Sequence, residues 1–170
     1  MKPSVLTLSG IAAAIVATAL ALPGTASAQS APSLHGTWRV QVTQYNCADP
    51  TVTFPPFWSI LSFHRGGTAT EATSNPALQP GQRTAGNGYW GLKEDGTYLS
   101  VTEAFILFDS PTNPPGLKKG VQKILQTISL TDENHFNAVA TIKFFNADGT
   151  VRVGCATAQG TRLTASTSEP

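Results

Sequence analysis

From Thr37 onward, apolar and polar side chains alternate at a period of two, and no stretch shows a helical period. Thr37 to Asn46 sets Trp38, Val40 and Val42 against Arg39, Gln41 and Thr43. Phe57 to Arg65 is aromatic and aliphatic, turns at Gly66-Gly67 and returns as Thr68 to Thr73. Gly88 to Lys93 reaches Asp95-Gly96, and Thr97 to Phe108 follows. Val121 to Leu130 turns at Asp132-Glu133-Asn134 into Phe136 to Phe145, and Thr150 to Leu163 comes last, after Asp148-Gly149. The pattern predicts an all-β chain: eight strands, each antiparallel to its neighbour, in up-and-down order. Eight such strands close into a barrel whose interior holds side chains or one small ligand.

The connections are uneven. Three turns at one end are tight. At the other end three connections are long and rich in Pro and Gly: "ADPTVTFPP", "NPALQPGQRTAGN" and "SPTNPPGLKKG". One end is therefore expected to be closed and the other ringed by loops, where ligand sites usually lie. Closure requires the first and last strands to pair. Matching Cys47 with Cys155 and Trp38 with Arg162 gives registers that agree within one diagonal step.

The first residues read differently. Lys2, the apolar run Val5 to Leu22 and the small-residue site Ala26-Ser27-Ala28 predict a secretory signal peptide over 1–28, leaving a single barrel domain over 29–170. Its short basic start and Ala-rich core suggest bacterial export, to the periplasm or beyond. In an oxidising compartment Cys47 and Cys155 are expected to form one disulfide. It would close a loop of more than a hundred residues, for roughly 4–5 kcal/mol in the chain-entropy picture. Without Lys2 the chain carries ten basic and ten acidic side chains. No basic stripe points to nucleic acid, and no basic amphipathic helix points to a membrane surface.

Gly36-Thr37-Trp38, Thr131-Asp132 in a tight turn and Arg162 near the end fall in order at the predicted closed end. In these features the chain resembles the lipocalins and their calycin relatives. There, Gly-x-Trp opens the first strand and an Arg from the last strand stacks on the Trp. The resemblance implies structural roles for Gly36, Trp38 and Arg162. Glu133 stands where the family has an aromatic, the usual C-terminal helix is missing, and a first-to-last-strand disulfide is not the family's usual placement. The chain also resembles a group of exported bacterial proteins with a "GTW…NC…FxxGGT…GxR…GC…TR" layout, which implies no particular activity.

Candidate chemistry is sparse. His35, His64 and His135 show no metal-ligand spacing, and no nucleophile elbow, phosphate loop or dinucleotide fingerprint is present, so neither metal nor cofactor is expected. A two-residue turn at Asp95-Gly96 would set Trp90 against Val101 and Gly88 against Glu103. Glu103 would then share an apolar face with Trp90, Val101, Phe105 and Leu107. Facing inward, it would be the best catalytic candidate, with Arg83, Trp90, Val101 and Phe105 as ligand-binding neighbours. The plainer alternative pairs Glu103 with Arg83 or a lysine, or turns it outward. Arg83 itself would meet Glu103, bind an acidic ligand group or anchor its loop. A similar turn at Gly66-Gly67 would set Ser62 against Glu71 near His64, read as a polar outer face. Tyr89 and Tyr98 would share the other face of their hairpin, as surface or packing residues. The facing of Val151 and Val153 stays open, pending a bulge at Gly149 or Gly154.

Three functions fit this reading. The first is an exported barrel that binds a small hydrophobic molecule, without enzymatic activity. The second is a cofactor-free isomerase or cyclase of the allene oxide cyclase kind, with Glu103 as acid–base residue. The third is a protein-binding barrel, like protease inhibitors that insert an N-terminal arm, here "QSAPSL".

Overall fold

A computed structural model describes residues 33–109 and 118–165. The segment read as a signal peptide lies outside the described residues, as does 110–117 of the third long connection. The strands are β1 (Gly36–Asn46), β2 (Asp49–Thr53), β3 (Phe57–Phe63), β4 (Thr68–Thr73), β5 (Gly86–Leu92), β6 (Tyr98–Ile106), β7 (Gly120–Leu130), β8 (His135–Asn146) and β9 (Val151–Arg162). Each pairs antiparallel with the next around the sheet, and β1 also pairs with β9. All strands but β2 make a closed eight-stranded up-and-down barrel. No helix among the described residues is long and apolar enough to cross a membrane.

The first long connection holds an unexpected strand. β2 folds back on the upper end of β1, with Tyr45 opposite Thr53. Among the described residues its other edge has no partner strand, and an edge strand is where a proline such as Pro50 is tolerated. Trp38 pairs with Arg162 and Tyr45 with Cys155 across the seam. Cys47, one diagonal step on, is bonded to Cys155, with Cα atoms 5.3 Å apart.

Two hairpin registers differ from expectation by one residue, for one reason. Gly66-Gly67 and Asp95-Gly96 predict two-residue turns, and the loops have three residues. His64 N donates to Thr68 O at 2.8 Å, and Lys93 N to Thr97 O at 2.7 Å. The third loop residue is a glycine in the left-handed region, Gly67 (φ 87°) and Gly96 (φ 80°). At Glu94–Gly96 this is the type I turn with a glycine bulge, whereas in the first hairpin Gly66 is also left-handed (φ 91°). The extra residue moves every cross-strand partner by one position and so exchanges the inner and outer sets. Glu71 pairs with Leu61 rather than Ser62, and Trp90 pairs with Ser100 rather than Val101. Tyr98 accordingly turns inward and packs in the core, while Tyr89 is exposed.

In β9, Ala156, Ala158 and Gly160 are buried while Val151 and Val153 are exposed. The β8–β9 register runs unbroken from Phe145–Val151 to His135–Thr161. No bulge interrupts this strand; Gly149 (φ 82°) serves the turn instead. Gly160 is required where it stands. A Cβ there would lie 2.1 Å from the Phe136 ring.

The closed end is filled. Trp38, Phe63, Phe136, Leu34 and Ile128 are almost wholly buried, and the Trp38 and Phe136 rings lie 5.0 Å apart. The Arg162 guanidinium covers the Trp38 ring at 4.2 Å. It also donates to Glu133 O at 2.7 Å, to Ser33 O at 2.6 Å and to His35 O. Trp38 Nε1 donates to Leu34 O at 2.9 Å. One cation therefore ties the chain before β1 and the β7–β8 turn to the base of the core. At Gly36 (φ +129°) a Cβ would meet Arg162 Nη1 at 2.6 Å.

Candidate functional site

Above the aromatic layer the interior changes character. Glu71, Gln122, Gln126 and Ser59 are buried there among Val42, Ile124 and Ile142. They line a cavity of about 50 Å³. Water needs only roughly 10–15 Å³, so the space suits a slim group rather than a bulky ring system. A vestibule of about 610 Å³ lies above it, lined by Tyr45, Phe54, Phe144 and Arg152. Gln44, Asn75, Leu78, Gln122 and Ile142 line both spaces and so form the neck.

Glu71 lies on β4, opposite Leu61 on one side and Gly86 on the other. The missing side chain at Gly86 leaves room for its carboxylate: a Cβ there would fall 2.7 Å from Oε2. Arg83 Nη2 donates to Glu71 Oε2 at 2.5 Å, and both side chains are only 5% exposed. Arg83 Nε donates to Gln122 Oε1 at 2.5 Å and Nη1 to Thr84 O at 3.1 Å. Together these compensate the charges of an ion pair taken out of water, where a lone charge would cost several kcal/mol or more.

Arg83 reaches the interior because the chain before β5 is irregular. Asn87 pairs with Glu103, yet Arg83 bridges Ile106. Four residues on one strand thus span three on the other, which is a β-bulge, a device that re-aims side chains. Regular pairing would have turned Arg83 outward. Thr84 N donates to Phe105 O at 3.0 Å and Leu107 N to Gln82 O at 2.9 Å, and these hold the bulge to β6.

The other sequence candidates lie elsewhere. Glu103 is exposed and paired with Lys123 at 3.0 Å. Phe105 is exposed. Val101 is buried but shares the parity of those two, opposite Tyr89 and Leu125. Trp90 faces inward at the closed end, against Phe63 and Tyr98, and donates to His64 O at 2.9 Å. Of the group read as ligand-binding, only Arg83 lines the cavity. Glu71, Gln122, Gln126 and Leu78 line the cavity without being among the residues that the sequence motifs point to. For Glu71 a signal existed: counting Gly67 into the turn places it opposite Leu61. Gln122 and Gln126 share parity with buried Ile128 along β7, and that alternation was visible as well.

Among the described residues, no three His, Cys, Asp or Glu side chains gather as a metal site. No protein-family model matches the chain, and no curated protein matches it in sequence.

Proposed function

We propose that the barrel binds a small, mostly apolar molecule through its open end. One observation carries this reading: the buried ion pair Glu71–Arg83 sits in the wall of an otherwise largely apolar cavity that opens into a vestibule. A slim apolar end enters between Val42 and Ile142, a polar group is met at the neck by Gln122 and Gln44, and the remainder stays in the vestibule. A few placed polar groups in an apolar cleft are the usual composition of such sites. The stack of Arg162 on Trp38 supports a lipocalin-like ancestry. The Cys47–Cys155 bond fits the exported, oxidising location that the N-terminal sequence implies.

No observation favours the other two readings. The carboxylate suited to acid–base work was Glu103, which faces solvent. The buried one, Glu71, is taken up by Arg83. Leu34, the end of the supposed inserting arm, is buried at the closed end beneath Trp38.

Native mass spectrometry of the exported chain, with organic extraction, tests the reading. We expect an apolar molecule to accompany the protein and to be lost in a Gln122→Leu variant that keeps its fold. An empty protein that also ignores a panel of slim apolar dyes would overturn it.

A further inference from the structure

The outer wall beside the open end carries an apolar row that no local stretch of sequence reveals. Phe105 pairs with Val121, Val121 with Phe145, and Phe145 with Val151, so four adjacent strands present one apolar line. Phe105 is 60% exposed, Phe145 41% and Val151 55%. Leu107 extends the line toward the rim, and Val153, also exposed, joins it to the vestibule that it helps to line. Single exposed apolar residues are ordinary; a continuous row is a binding surface.

Lysines flank the row. Lys119 lies on the rim side, and Lys123 and Lys143 are cross-strand partners one row below. Lys123 is paired with Glu103 and Lys118 with Asp148, while Asp109 accepts from the backbone of Lys119. Lys119 and Lys143 make no ion pair among the described residues. Protein–protein interfaces are depleted in lysine, whereas long flexible ammonium groups around an apolar patch suit lipid phosphates.

We propose that this row docks the barrel on an anionic lipid surface, with the mouth beside the bilayer. It is a peripheral contact, without insertion. The inference deepens the binding reading above and rests on it for its purpose: apolar cargo passes between bilayer and barrel without crossing water.

Cosedimentation with vesicles tests it. One set is phosphatidylcholine alone; the other contains equal parts phosphatidylcholine and phosphatidylglycerol. We expect binding to the anionic set that weakens with salt. Phe105→Ser with Phe145→Ser should weaken it about tenfold or more. Lys119→Gln with Lys143→Gln should weaken it on the order of tenfold and abolish the preference for anionic lipid. All four positions are exposed, and circular dichroism checks that the variants fold. Three results would overturn the proposal: no sedimentation with either set, the Phe105/Phe145 variant sedimenting like the native chain, or a concentration-dependent dimer that this variant dissolves. Cargo retained by a variant that has lost vesicle binding supports the docking role as separate from the cavity. Cargo never found, with docking intact, would sink the binding reading alone.

Discussion

Along β7 the inward side chains run from Ile128 at the closed end through Gln126 and Ile124 to Gln122 at the open end. Along β4 they run from Ala69 to Glu71. The same strands thus build an aromatic plug at one end and, at the other, a largely apolar void with a few buried polar groups in its wall. The plug is held by burial and by a guanidinium that satisfies backbone carbonyls of two chain segments. The open end holds a buried ion pair, Glu71–Arg83, braced by Gln122 and the Thr84 carbonyl. The contrast assigns stability to the first and recognition to the second, and it can be broken in order of expected effect.

Trp38→Ala should cost the most, about 4 kcal/mol, because it empties the most buried large site and removes the cation–π contact. Chemical denaturation measures the loss. Cargo affinity in the surviving fold should change less than about threefold, since Trp38 itself does not line the cavity, although its neighbours Val40, Leu61 and Ala158 do. A larger loss of binding would show that the two ends are coupled.

Arg83→Met should cost about 3 kcal/mol, because it strands the Glu71 carboxylate in the interior. Adding Glu71→Leu should bring stability back to within about 1 kcal/mol of native, as paired apolar replacements often do. The double variant should nevertheless lose the cargo that native mass spectrometry detects. Restored stability with unchanged binding would remove the polar pair from the site.

Gly86→Ala should cost about 1–3 kcal/mol by overpacking against the Glu71 carboxylate, with a matching drop in cargo affinity. An unchanged melting temperature would mean that the pair relaxes freely.

The smallest effect belongs to the turns. Lys93 and then Thr97 hold the Asp95 carboxyl well below the usual carboxylate range. Lys118 and then Thr150 do the same for Asp148, and the Asn134 N–H followed by His135 lowers Asp132. Each folded value is depressed. The stabilisation is therefore full above the ordinary carboxylate value near 4 and is lost as the pH falls through the lower folded values. A melting temperature that declines below about pH 4, and declines less in Asp95→Asn and Asp148→Asn, is the expected outcome. All three groups are exposed to solvent, so salt should blunt the effect.

By itself, the alternation of apolar and polar residues determined that the chain is all-β, how many strands the barrel has and which end is closed. The spacing of Trp38, Cys47, Cys155 and Arg162 determined the seam. These are properties of period and order, which survive small errors in counting. The identity of the inner face does not survive them. With a period of two, one extra turn residue at Gly67 and Gly96 exchanged the sets, so that Glu71 rather than Glu103 became the buried acid. The bulge before β5, which turns Arg83 inward, is fixed by hydrogen bonds to Phe105 and Leu107, more than twenty residues away in sequence. The apolar row of Phe105, Val121, Phe145 and Val151 exists only after four strands have paired. Local pattern decides what each segment becomes; register, set by turn geometry and long-range pairing, decides which side chains meet.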